Sequence, residues 1–194
     1  MTKKIEELII ESCLKIARKG QGALIVFKGN PKYKMLIRQD FKPFNIADNP
    51  KLFEALAIID GATIIDENGV ITHYAAMIDV ERLSNIIINF GTRHQGAMSA
   101  SLQGATAFAV SEEDRKVRIF KNGKMIMQID SLEKGVEGNI SKAVGILESI
   151  GVGALSTLGV GAMGVAGVTL IPGIIVFGGI YYIINLLKEK KFLN

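Results

Sequence analysis

Residues 149–187 contain no Asp, Glu, Lys or Arg, an uninterrupted run of 39 positions. So much charge-free chain must be covered either by lipid or by a protein core. A helix crosses the hydrocarbon layer with about 20 apolar residues, so the run is long enough to enter a membrane. Gly151, Gly153, Gly159, Gly161, Gly164 and Gly167 dot its first half, and Pro172-Gly173 interrupts it. Small residues three or four apart let helix backbones approach closely in lipid. Three arrangements satisfy these constraints. They are two short spans turning at Pro172-Gly173, one span after an interfacial segment, and a Gly-rich core hairpin. We expect the membrane-inserted forms, because little chain remains to cover such an apolar surface. Lys134 and Lys142 precede the run, and Lys188, Lys190 and Lys191 follow it. The tendency of flanking lysines to stay on the cytoplasmic side favours the two-span hairpin. A chain ending at Lys142 is then expected to be soluble and to keep its functional site. Nothing polar within the run suggests a conduction path.

The rest of the chain is that of an ordinary globular domain. Over all 194 residues, 48% are hydrophobic and 22% are charged. The length suits one domain with an appendage. The net charge of +4 is small, and no basic cluster is interleaved with aromatics, so a nucleic-acid partner is not expected. Cys13 is the lone cysteine, which excludes an internal disulfide and suits a packed thiol in a reducing compartment. The first residues, Met1-Thr2-Lys3-Lys4-Ile5-Glu6-Glu7, lack the apolar core of a signal peptide. The expected location is the cell membrane, with the globular domain facing the cytoplasm.

Ile5, Leu8, Ile9, Ser12, Ile16 and Ala17 recur at helical spacing and predict an amphipathic helix ending near Gly20. Strands are predicted over 23–27, 34–39, 62–66, 70–78, 105–111, 116–120 and 125–130. Glu67-Asn68-Gly69 and Lys121-Asn122-Gly123 supply hairpin turns. A short helix capped by Asp48 or Asn49, with Pro50 in its first turn, runs to about Ala57. Residues 79–89 show no clean period and are expected to form a loop with a helical turn. A third helix opens at Gly91-Thr92-Arg93-His94 and runs to about Leu102. Strands with interspersed helices predict an α/β (α+β) domain built on one mixed sheet, followed by an apolar Gly-rich helical tail. The expected division is an N-terminal helix over 1–20, a globular domain over 21–138 and the tail over 139–194.

Two short motifs carry the chemistry. In Asp60-Gly61-Ala62 a carboxylate stands directly before a strand, where it can hold a divalent cation near phosphate oxygens. Gly61 permits close backbone approach to a ligand. Alone, Asp-Gly is also an ordinary turn. In Gly91-Thr92-Arg93-His94 the first helical turn offers amide donors and a partial positive charge to an anion. Thr92 can cap the helix and donate its hydroxyl. Arg93 brings a permanent planar charge. His94 can donate a hydrogen bond or relay a proton near neutral pH. The bland alternative is a capped helix with a surface arginine and a packed histidine. His73-Tyr74 reads as a packed or solvated pair, and Glu112 and Glu113 as a charged strand end.

In order and approximate spacing the two motifs resemble those of the diadenylate cyclases, whose nucleotide-binding domain was first known from the DNA integrity scanning protein. That family carries Asp-Gly-Ala and, about thirty residues later, Gly-Thr-Arg-His-Arg. The stretch Ala105-Thr106-Ala107-Phe108-Ala109-Val110-Ser111-Glu112-Glu113 resembles the family's next strand and its Val-Ser-Glu-Glu ending. The resemblance spans roughly residues 20–130. It implies that two ATP molecules, one on each of two facing subunits, are condensed into cyclic di-AMP. Asp60 would bind Mg or Mn and help deprotonate a 3′-hydroxyl. Gly61, Ala62, Gly91, Thr92, Arg93, His94, Gln95 and Ser111 would bind nucleotide, and Asp60, Arg93 and His94 would be catalytic. Two departures stand out. Gln95, followed by Gly96, replaces the family's second Arg, and Ile59 stands where some members have His. Gln95 leaves open a second function, a catalytically weak or silent ATP or cyclic di-AMP sensor coupled to the tail.

Overall fold

Ala23-Leu24-Ile25-Val26-Phe27 has no polar position because both of its faces are covered. In the computed structural model, which describes residues 4–80, 91–151 and 170–177, it forms strand β1 (Ala23–Phe27), in the interior of a ten-stranded mixed sheet. Ala23, Ile25 and Phe27 enter one apolar layer, and Leu24 and Val26 enter the other. Strand β1 runs parallel to β4 (Ala62–Ile65) and antiparallel to β6 (Thr106–Val110). All other pairings in the sheet are antiparallel.

Beyond β4 lie β5 (Val70–Ile78) and then β2 (Tyr33–Met35) at the edge, with β3 (Phe44–Asn45) pairing to the other end of β5. Beyond β6 lie β7 (Lys116–Lys121), β8 (Lys124–Asp130), β10 (Ile174–Val176) and β9 (Leu170–Ile171). Asn122 and Gly123, which join β7 to β8, both have positive φ, the two-residue geometry that matches strand twist.

Helices α1 (Ile5–Arg18), α2 (Pro50–Ala57) and α4 (Ile140–Gly151) cover one face of the sheet. The buried stripe Ile9, Cys13, Ile16 and Ala17 of α1 lies against the sheet residues Ile25, Phe108 and Ile119 in one cluster. Cys13 is a free buried thiol whose pKa burial pushes far up, which leaves it inert. Asn49 caps α2 by accepting from the Leu52 amide at 3.2 Å, with Pro50 at the first helical position.

The opposite face carries α3 (Thr92–Leu102) on a bed of small residues: Ala62, Ala76, Ala107 and Ala109 from the sheet, Ala105 just before β6, and Gly96, Ala97 and Ala100 from the helix. A Cβ at Gly96 would come within 2.9 Å of Leu24 Cδ2. The small side chains let α3 sit close to the sheet, which fixes where its N-terminus can point.

Several expectations are corrected. The expected strand over 34–39 ends at Met35. Leu36 still donates to the Ala75 carbonyl at 3.0 Å, but the chain then leaves the sheet. In place of a strand, the Gln39 side-chain amide pairs with the Tyr74 backbone, donating to its carbonyl and accepting from its N–H at 3.3 Å. Gly91, not Thr92, is the N-cap of α3. Thr92 is the first helical residue and makes no capping bond.

The expected turn between two membrane spans is instead a tight β-turn. Pro172-Gly173 joins β9 to β10, and β10 pairs with β8. Ile174 and Val176 are 1% and 5% exposed in the same core as α1. Val144 and Leu147 of α4 join that core too. Hydropathy cannot separate a strand that completes a core from a lipid-facing one, because both demand only the absence of charge. Among the described residues no helix is long and apolar enough to cross a membrane. The remaining tail, 152–169 and 178–194, lies outside the described residues, as does the expected loop beyond Val80.

Candidate active site

Gly61 has φ +96°, and a Cβ there would come within 2.8 Å of the Ala75 backbone carbon. Only glycine fits between the start of β4 and the irregular stretch of β5, where Ala75 itself has φ +47° and the register shifts. The glycine is therefore required first by the sheet. Its consequence is local: Asp60 is held exposed at the mouth of a cavity, with its Oδ1 accepting from the Gly61 amide at 3.0 Å.

That cavity has a volume of about 480 Å³ and is lined by Asp60, Gly61, Thr92, Arg93, Gln95 and Gly96, with Leu24, Leu36, Ala76, Met77, Ile78, Asp79 and Val80 as its mostly apolar wall. The two motifs, far apart in sequence, thus meet at one place. Ala62 is fully buried in the layer beneath α3. A second cavity of about 430 Å³ lies on the other side of the helix start. It is lined by Gly91, Thr92, Arg93, His94, Val110, Ser111, Glu112, Glu113, Asp114 and Arg118. Thr92 and Arg93 line both. Each volume is within the range of small-molecule sites. The first offers an apolar wall with carboxylates at its rim. The second offers hydroxyl, guanidinium and imidazole groups.

Arg93 lies over a backbone gap. A Cβ at Gly22 would come within 2.6 Å of its guanidinium carbon. Its Nη1 is 3.4 Å from Glu112 Oε2, an exposed pair of small intrinsic strength that an incoming anion can replace. At the first turn of α3 the His94 and Gln95 amides both bond back to the Gly91 carbonyl, at 3.0 and 3.2 Å. The Thr92 and Arg93 amides precede the helical bonding pattern, as donors of a first turn do.

His94 is held at a pKa of about 4, first by burial and then by the charges of Arg118 and Arg93, against an opposing pull from Asp114. At neutral pH it is uncharged, so it contributes hydrogen bonds rather than a cation. Arg118 projects from β7 toward α3. Its Nε donates to Gln128 Oε1 at 3.0 Å, Nη1 lies 3.3 Å from Asp114 Oδ1, and Nη2 donates to Asp114 Oδ2. The same Nη1 is 3.2 Å from His94 Nε2. Burial tends to raise the pKa of Asp114, but hydrogen bonds from Arg118 and Ser111 and the charges of Arg118 and Lys116 hold it below the ordinary range. His73 of β5, by contrast, pairs with the hydroxyl of Tyr33 on β2 at 3.1 Å.

Residues 10–125 match the family described as DisA bacterial checkpoint controller nucleotide-binding, the DAC domain. The chain belongs to that family. Among relatives of this DAC-family protein, a diadenylate cyclase of Methanocaldococcus jannaschii is 36% identical over 76 residues, covering 39% of this chain and 25% of that protein. The chain thus matches only a quarter of that relative's length. A double mutant of DacA from Staphylococcus aureus shares the fold at a TM-score of 0.52 and 24% identity, over 71% of this chain and 93% of that one. A hypothetical membrane spanning protein from Bacillus cereus aligns at a TM-score of 0.48 and 21% identity, over 61% of this chain and 60% of that one.

Sequence reasoning missed Gly22, Asp79, Asp114, Arg118 and Gln128. Gly22 and Arg118 give no local signal, because a glycine before a strand and an arginine on an alternating strand are both commonplace. Gly22 supplies a test that leaves the fold alone. Gly22→Ala is expected to push the Arg93 guanidinium aside and, in the function proposed below, to weaken ATP binding toward the level of Arg93→Ala, about tenfold to hundredfold below the parent. The melting temperature of Gly22→Ala should stay near the parent's, since the group displaced is the end of a flexible side chain. Calorimetric titration with ATP checks it. Parent-like affinity in both variants would remove Arg93 from the site.

Proposed function

We propose that this chain binds ATP at the start of α3 and, facing a second subunit, condenses two ATP into cyclic di-AMP and two pyrophosphates. The observation that carries this reading is the convergence of Asp60 and Gly61 with Thr92 and Arg93 on one cavity. The adenosine suits the larger, apolar-walled cavity. The triphosphate suits the helix start, Arg93, His94 and Ser111, where amide donors and a guanidinium meet. The 3′-hydroxyl oxygen of each ATP bonds to the α-phosphorus of the other, and each α-phosphorus loses its bond to the bridging oxygen of pyrophosphate. Each hydroxyl proton leaves toward a base, a role that suits the exposed Asp60 carboxylate. Because one subunit supplies one ATP, pairing of subunits is part of the chemistry.

Asp60 is the residue suited to hold Mg or Mn. Its hard oxygen, with substrate phosphates and water as the other ligands, matches how these ions bind, and Asp79 lines the same cavity. The ion, when bound, offsets the charge that develops on the phosphates. Thr92, Arg93 and the first amides of α3 orient the phosphates, and Leu24, Leu36 and Ile78 supply apolar surface for the adenine.

A second reading rests on Gln95, which lines the first cavity where the family motif has a charged Arg. A neutral side chain there supports nucleotide binding with slow or absent turnover. Incubating the full chain with ATP and Mg or Mn separates the two. Cyclic di-AMP formation supports the cyclase, whereas saturable ATP binding without product supports the sensor. Attachment to the cell membrane, with the nucleotide site facing the cytoplasm, is supported by the charge-free residues 152–169 and 178–187. Recovery of the full chain in the soluble fraction after lysis would sink it.

A further inference from the structure

We propose that Arg118 is a positioning residue for His94: clamped by Asp114 and Gln128, it holds the imidazole as a single Nδ1–H tautomer in the wall of the second cavity. A guanidinium has only donors. With Arg118 Nη1 3.2 Å from His94 Nε2, that ring nitrogen must accept, and the proton of the neutral ring resides on Nδ1. A protonated imidazole would set two donors against each other at that contact.

The clamp is well built for this task. Gln128 is the cross-strand partner of Arg118, so its amide meets the guanidinium Nε directly across the β7–β8 ladder. Asp114, at the turn between β6 and β7, takes the other side in a two-point contact. The Ser111 hydroxyl accepts from the Asp114 amide at 3.4 Å, tying that turn to the cavity rim. Arg118 has a side chain only 13% exposed, so it has little freedom to leave. Phe120, two residues further along the strand, meets the imidazole edge-on with ring centroids 6.2 Å apart. The ring is thus fixed from β7 by one polar and one aromatic contact. Since His94 is the third residue of α3, fixing it also fixes the turn that carries Thr92 and Arg93.

Among the described residues, the charged groups around His94 include Arg93 on its own helix, Arg118 on β7 and Asp114 in the β6–β7 turn, with Glu112 and Glu113 lining the same cavity. Removing Arg118 takes away a donor to Nε2 and leaves Asp114 unopposed. Both changes favour the imidazolium. Removing the charge of Asp114 acts in the opposite sense.

The role of this ring toward phosphate rests on the ATP-binding reading above, but its tautomer does not. The test is therefore nitrogen NMR of the full chain, labelled at histidine in a His73→Gln background so that His94 alone is seen. The parent should show an unprotonated Nε2 and a protonated Nδ1 through neutral pH. Arg118→Ala should show mixed tautomers and a titration raised by about one pH unit or more. Asp114→Asn, the variant that keeps the guanidinium, should titrate no higher than the parent. An Arg118→Ala tautomer and titration equal to the parent's would overturn the positioning role, and so would a raised titration in Asp114→Asn. Adding ATP with Mg to the parent is a separate arm. His94 signals that do not move there would remove phosphate from the second cavity and leave the Arg118 result untouched.

Discussion

Asp60→Asn is expected to stop cyclic di-AMP synthesis while leaving the fold intact. Asp60 is exposed, and its one hydrogen bond within the described residues is to the Gly61 amide, which an asparagine Oδ1 can also accept. The substitution therefore removes a charge and little else, and surface changes of this kind shift stability by about 0.5 kcal/mol or less. The catalytic effect is far larger. A divalent ion that offsets charge on a transferring phosphoryl group contributes several kcal/mol, and about 4 kcal/mol corresponds to roughly a thousandfold in rate. In the proposed reaction the same charge would also let the carboxylate accept the hydroxyl proton. The measurement is product formation with Mg or Mn, set beside a thermal melt of the same preparation. A variant that melts like the parent and makes product within tenfold of its rate would take Asp60 out of the reaction. Loss of product with a lowered melt would instead mark Asp60 as structural.

What could be read in advance followed what local chemistry decides. Strand β5 was legible to the residue and helix α3 closely so: Asn68-Gly69 marks the turn before the strand, and the Gly91 motif and Gly104 bracket the helix. The two motifs were legible because each places a functional group beside a glycine with a backbone job. The rest depended on partners distant in sequence. The early end of β2 is caused by one side chain, Gln39, bonding the backbone of Tyr74 in the role a strand would take. Gly61 reads as room for a ligand, yet its φ and its approach to Ala75 show that the sheet needs it first. Thr92 reads as a cap, but Gly91 reaches the N-cap geometry without a side chain. The split of the site into two cavities, with His94 and Ser111 on the far side of the helix start from Asp60, is set by how closely an alanine-lined sheet lets α3 approach. Arg118 came to light only through the register that sets it opposite Gln128 and beneath the helix.

A chain ending at Lys142 is expected to lose its fold, in contrast to the soluble, intact domain that charge patterning alone suggests. The cut removes Val144 and Leu147 of α4, which are 1% and 2% exposed, and Ile174 and Val176 of β10, at 1% and 5%. All four belong to the cluster that holds α1 against the sheet. Burying one such side chain contributes about 1.5–3 kcal/mol, so their joint loss is about 6–12 kcal/mol. That is comparable to the whole stability of a typical domain, about 5–15 kcal/mol. The cut also bares the edge of β8, whose backbone pairs with β10 through Met127, Gln128 and Ile129. An uncovered apolar edge strand favours aggregation. The damage reaches the nucleotide site by a short route, because Gln128 on that edge holds Arg118, and Arg118 holds His94. A chain ending at Phe177 keeps α4 and the β9–β10 hairpin and is expected to stay folded and to bind ATP. The two chains are compared by cooperative melting and by ATP titration. A sharp melt and parent-like ATP affinity in the chain ending at Lys142 would show that β10 and α4 are dispensable additions to the core. Failure of both chains to melt cooperatively would place an essential part of the fold beyond Phe177.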